Sequence, residues 1–169
     1  MDVSALLLEL YGRIPPLARD AVEGLGVDRL TERPSPGANT IAWVVWHLTR
    51  VQDDHMSEIL DAEQIWVTGE WAVHFGLEAD PSNTGYGHSA AEVAAVRPVG
   101  TDVLIGYLDA VDKRTRAALE QLTAAELDRI VDQSWEPPVT LGVRLVSIAD
   151  DCLQHVGQAA FARGLLIDG

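Results

Sequence analysis

The sequence is short of cysteine, of basic residues and of long apolar runs, and each shortage excludes something. A single cysteine, Cys152, rules out an intramolecular disulfide framework and fits a reducing compartment. Only 12 Lys and Arg stand against 26 Asp and Glu, a net charge of −14 over 169 residues. Such a chain repels a phosphate backbone, so nucleic acid and anionic membrane surfaces are not expected partners. No apolar stretch approaches the roughly 18–20 residues of a membrane span. The start, Met1-Asp2-Val3-Ser4, lacks the basic opening of a secretory signal, so a cytoplasmic protein is expected. The apolar fraction of 47% can supply a sizeable core, and the length suits one domain over residues 1–169.

What is present is helical periodicity, in four stretches, with no alternation that would make a sheet. The first carries Leu6, Leu7, Leu10, Tyr11, Ile14 and Leu17 on one stripe from about Ser4 to the Gly24/Gly26 region. Pro15 and Pro16 inside it predict a kink, or a break with a restart. Arg33 to Asn39, with two prolines and a glycine, reads as a linker. Asn39 or Thr40 caps a second helix running to about Leu60. From about Asp61 to Gly100 the pattern dissolves into a long connection, too long for a bland tether. It holds Trp66, Trp71, a capping box at Ser89–Glu92 and the tetrad Gly85-Tyr86-Gly87-His88. Thr101 opens a third helix with Leu104, Tyr107, Leu108, Val111 and Leu122 inward, and Thr123–Glu126 forms a second capping box. Pro137-Pro138 ends that region, and Thr140 caps a fourth helix ending near Arg163 with Gly164 as its stop. The expected fold is all-α: a four-helix bundle with a long elaborated connection between its second and third helices.

The fourth helix places Asp151 and His155 four residues apart, one turn along and about 40° around the axis. They share a stripe with Ile148, Cys152, Ala159 and Ala162, so both face the core side. His47, in Trp43-Val44-Val45-Trp46-His47-Leu48, has apolar neighbours at i−4 and i−3 and also faces inward. A buried carboxylate needs a partner, and a divalent cation held by two imidazoles and one carboxylate supplies it. Three protein ligands leave a position open, as in catalytic sites. From the residues alone, an Asp–His hydrogen bond that satisfies itself and binds nothing is the commoner arrangement.

Around this set, Arg50 can steady an anionic group, although a solvated arginine is the plainer reading. Asp54 is a second partner for the ligands or a surface ion pair. His55 lies about 80° around the helix from His47 and should miss the site. His88 can hang over the bundle mouth as part of a lid, though turn geometry alone accounts for its glycines. Cys152, about 100° from Asp151, is a small core residue. The five tryptophans are expected to build core and dimer contacts.

The segments Asn39-Thr40-Ile41-Ala42-Trp43-Val44-Val45-Trp46-His47-Leu48, His155-Val156-Gly157-Gln158, Gly85-Tyr86-Gly87-His88 and Trp135-Glu136-Pro137-Pro138-Val139-Thr140 together resemble the DinB-like superfamily of metal-binding four-helix bundles, and within it an actinobacterial branch of unknown function. The resemblance covers nearly the whole chain. It implies a metal held by His47, Asp151 and His155. Asp151 departs from the histidine that the superfamily commonly carries there, and the resulting set is similar to that of the related mycothiol-dependent maleylpyruvate isomerase. Other relatives are thiol-S-transferases. The implied activity is therefore transfer or isomerisation of a small electrophile by a low-molecular-weight thiol such as mycothiol. Zinc is the first choice of metal, with nickel or iron as alternatives. A metal-assisted hydrolase and a non-catalytic homodimeric bundle are the competing readings. No specific catalytic residue beyond the ligands is assigned.

Overall fold

A computed structural model describes residues 1–167. Its helical content is 63%, and its long helices form the expected bundle. The first rod is α1 (Val3–Tyr11) followed by α2 (Ile14–Val22), with α3 (Val27–Leu30) trailing it. The break falls at Gly12–Arg13, and the chain restarts with Pro15 and Pro16 in the first turn of α2. There a missing N–H costs nothing. Asp2 caps α1 by accepting from the Ala5 amide at 2.9 Å.

The second rod, α4 (Ile41–Leu60), is capped by Thr40, whose Oγ1 accepts from the Trp43 amide at 3.1 Å. Every residue from Ile41 to Arg50 is buried. A helix this apolar all round must be covered on its outer side as well. The connection, which holds α5 (Ile65–Thr68), α6 (Trp71–His74) and α7 (Ala90–Ala95), supplies cover where Trp66 of α5 and His88 lie against the Trp46 ring. The capping box that opens α7 forms as expected, with the Ser89 amide donating to Glu92 at 2.7 Å.

The third rod, α8 (Thr101–Glu120), packs on α4, α5 and α6 on one side and on α1 and α2 on the other. The fourth, α9 (Leu141–Ile167), packs on α4 and α2, which closes the bundle. Thr140 caps α9 through its Oγ1 and the Val143 amide at 3.3 Å. Gly164 does not stop this helix, which continues to Ile167: one glycine within a well-packed rod costs only about 1 kcal/mol.

Two short strands were not anticipated. β1 (Ile130–Asp132) pairs antiparallel with β2 (Val139–Thr140) around the Trp135 loop. Segments of two or three residues are too short for alternation to register. The Thr123–Glu126 capping box opens a 3-10 turn just before them.

The core joins Tyr11, Ile14 and Ala18 to Trp46 and Leu48, to Leu104, Tyr107 and Val111, and to Leu145, Ile148, Cys152 and Ala159. Tyr11 is fully buried and donates to the Leu145 carbonyl at 2.7 Å, which ties α1 to α9. Trp43, Trp46 and Trp66 are core residues and Trp71 packs against them, whereas Trp135 is 66% exposed and takes no part. None of the described helices is long and apolar enough to cross a membrane.

Candidate metal centre

Helices α4 and α9 bring His47, Asp151 and His155 together, with one ligand atom from each lying within 4.8 Å of the others. The helices run antiparallel, so residues early in α4 meet residues late in α9. Cys152 Sγ sits 3.5 Å from the Leu48 carbonyl and marks the same level of the groove. The His47 and His155 rings meet edge to face at 4.7 Å between centroids.

The ring nitrogens are already assigned by their partners. His155 Nδ1 lies 2.8 Å from the main-chain oxygen of Asp151, and His47 Nδ1 lies 2.5 Å from that of Thr84. A carbonyl only accepts, so each Nδ1 carries the proton and each Nε2 keeps its lone pair. This is the arrangement in which metal-ligating histidines are held.

Asp151 completes the set. Its Oδ2 is buried and has no hydrogen-bond partner, although His155 Nδ1 stands 3.4 Å away. That nitrogen's proton points instead at the main-chain oxygen, 2.8 Å distant. A buried carboxylate oxygen without a partner costs free energy that a cation would recover, so the donor set fits a divalent metal.

The local electrostatics agree with this geometry. Burial pushes the Asp151 carboxyl up, but the neighbouring imidazoles, His155 foremost with His47 and His55, together outweigh burial and hold the group below the usual carboxylate range. Burial pulls His155 down, and the carbonyl and carboxylate of Asp151 more than offset it, so the ring sits above an ordinary histidine. His47 lies below the ordinary value because burial outweighs its bond to Thr84. The Trp43 ring stacks on His47 at 4.6 Å and forms a wall on one side of it.

The Thr84 carbonyl comes from a strap, residues 81–88, that crosses the outer face of α4. Gly85 has φ +94°, and a Cβ there would sit 2.8 Å from His47 Nδ1 and 2.9 Å from the Trp46 ring. Only glycine lets the strap lie this close. His88 is pinned rather than free to swing. Its Nδ1 accepts from Trp43 Nε1 at 3.1 Å, its Nε2 lies 2.9 Å from Asn83 Oδ1, and its ring stacks on Trp46.

Arg50 corrects the sequence reading most sharply. It is fully buried, not solvated, because acceptors from distant segments surround it. Its Nε donates to the Asn83 carbonyl at 3.0 Å, and NH2 donates to the Pro81 carbonyl at 2.9 Å and to Gln64 Oε1 at 2.8 Å. Its guanidinium also lies over the Trp66 ring at 5.0 Å.

Asp53, which no motif or spacing in the chain singles out, sits at the centre of this region. It accepts from Tyr107 Oη at 2.7 Å, from the Trp66 and Ile65 amides at 2.8 and 3.0 Å, and from Arg114 at 2.5 Å. Its neighbour Asp54 neither reaches the triad nor makes an ion pair among the described residues. It accepts from Gln64 Nε2 at 2.7 Å, and burial raises its carboxyl.

His55 stays off the triad, as its helical angle predicts, and accepts from Arg144 NH1 at 3.2 Å. Cys152 is a fully buried core residue, its thiol pushed up by burial.

A family model described as the DinB superfamily matches residues 12–159. One solved structure similar to this chain is the crystal structure of a conserved protein from Enterococcus faecalis. It is 30% identical, with a TM-score of 0.91, covering 100% of this chain and 99% of that one. No curated protein matches.

Proposed function

The chain belongs to the DinB superfamily, whose members are generally metal-binding, and from that premise we propose that it is a divalent-metal-dependent enzyme. His47, Asp151 and His155 are its ligands, and its reaction is the transfer or isomerisation of a small electrophile by a low-molecular-weight thiol. The observation that carries this reading is the triad: two free Nε2 lone pairs and an orphaned carboxylate oxygen converging within 4.8 Å. Three protein ligands leave room for a further one. A bound divalent cation, zinc by preference, would supply the Lewis acidity that keeps a coordinated thiol deprotonated near neutral pH.

The chain's own residues do the rest. The Asp151 carbonyl and the strap hold the two imidazoles in the tautomer that faces the ion. Trp43 and the glycine-tight strap keep water from the His47 side of the site. Asp151 stays ionised because its carboxyl is held low, which suits it to neutralise a cation. In this reading the partners are a thiol and a small molecule, the setting is the cytoplasm, and the protein is one DinB-like domain that pairs as a homodimer.

The test is elemental analysis of untagged protein, followed by turnover of an electrophile panel with and without added thiol. One ion per chain in the wild type, lost in Asp151→Ala and His155→Ala, is expected, with turnover only when thiol is present. Turnover without thiol would point to a hydrolase instead, and absence of metal from the wild type would remove the basis for either.

A further inference from the structure

The geometry points to Arg50 as a positioning residue of the metal centre. By gripping main-chain carbonyls of the strap, it delivers the Thr84 carbonyl to His47 and so fixes which ring nitrogen faces the ion. The inference rests on the reading of His47, Asp151 and His155 as metal ligands.

Arg50 lies three residues beyond His47 on α4 and is 0% exposed. A buried guanidinium is expensive unless its charge and its donors are met. Its acidic partner, Asp53 Oδ2, is 3.5 Å away, and Tyr107 Oη is 3.2 Å away. Its shorter bonds go elsewhere: to Gln64 at 2.8 Å, Pro81 at 2.9 Å and Asn83 at 3.0 Å. Gln64 in turn donates to the same Pro81 carbonyl at 3.2 Å. The cation is therefore committed chiefly to neutral oxygens, two of them on the main chain of the strap.

The next peptide oxygen after Asn83 is that of Thr84, which sits 2.5 Å from His47 Nδ1. One residue of chain separates the two grips, so the strap cannot leave Arg50 without withdrawing the carbonyl from His47. A histidine without that acceptor is free to place its proton on Nε2, the nitrogen a metal needs. Arg50 thus acts on the ion through the strap and His47. By reciprocity, an ion on His47 should tighten the strap on Arg50.

Lysine keeps the buried charge but cannot span both carbonyls, so Arg50→Lys isolates the grip. Gly85→Ala tests the same link from the other end, since its Cβ would press on His47 Nδ1 and lift the strap. Two measurements apply: Zn²⁺ affinity by competition with a chromophoric chelator, and the ¹⁵N shifts of the His47 ring in metal-free protein. In the wild type, Nδ1 should read as protonated and Nε2 as bare. Both variants should shift the ring toward a mixture and weaken Zn²⁺ binding by about 10- to 100-fold. Wild-type affinity and wild-type ring shifts in both variants would overturn the inference.

A wild-type measurement guards against variants that do not fold. Zn²⁺ should slow hydrogen exchange of the Arg50 Nε–H and of the amides of residues 82–88, and unchanged exchange would overturn the coupling. If the wild type binds no Zn²⁺, the metal reading fails by itself. The ring shifts of the metal-free proteins then still decide whether Arg50 sets His47.

Discussion

The imidazole of His155 and the carboxylate of Asp151 stand one turn apart on α9, and the histidine's Nδ1 proton is directed to the aspartate's main-chain oxygen at 2.8 Å rather than to its side chain 3.4 Å away. The pair therefore presents two bare donor atoms instead of neutralising itself.

This has a pH consequence. His155 sits above 6.5, so its contribution to the stability of the metal-free protein is full below that value and is lost as pH rises through its folded value. His47 sits below 6.5, so its contribution is present above that value and is lost as pH falls through its folded value. The two losses fall on opposite sides of 6.5, so on their account the metal-free Tm should be highest near that value within the window from about pH 6 to pH 8 and decline toward either end. Metal binding requires both rings neutral. The rise in Tm caused by Zn²⁺ should therefore grow with pH across that window. Thermal denaturation with and without Zn²⁺ checks it, and an equal rise at both pH values would count against these ligands.

Asp53→Ala should be the most destabilising substitution in the bundle. It leaves Arg50 uncompensated and strips partners from Arg114 and Tyr107. Removing one side of such a buried ionic network costs about 3–5 kcal/mol. Urea unfolding measures this, and a loss below about 1 kcal/mol would show the network to be dispensable.

Cys152 adjoins Asp151 in sequence but points into the core, so its thiol should react with a disulfide reagent only after unfolding. Cys152→Ala should keep full metal content at a stability cost of about 1 kcal/mol. A fall in metal stoichiometry would instead make the sulfur a ligand.

Gly157 lies mid-way along α9 with nothing within 4 Å of where a Cβ would be. Gly157→Ala should raise stability by up to about 1 kcal/mol, because alanine loses less freedom in a helix. Chemical denaturation reads the gain. A loss, accompanied by a change in sedimentation, would mean that this face is covered in solution.

The triad was legible in the sequence because its evidence is local. Asp151 and His155 share a face by helical spacing, and the apolar run around His47 fixes its direction. The rods were legible for the same reason, as were Thr40, the Ser89–Glu92 box and the restart at Pro15. Arg50 and Asp53 were not, because what makes them core residues lies elsewhere: Pro81 and Asn83 on the strap, Trp66 on α5, Tyr107 and Arg114 on α8. No spacing within α4 encodes those partners. Gly164 misled because a residue that often ends helices is tolerated where packing on neighbouring rods continues.

The strap meets α4 largely through peptide oxygens, those of Pro81, Asn83 and Thr84. Exchanging the side chains of Ser82 or Thr84 should therefore leave the grip in place, while adding or removing one residue would offer Arg50 and His47 the wrong peptides. The segment is tolerant of composition and intolerant of length. A library built on this scaffold to alter what enters the site should diversify those side chains and keep the residue count fixed.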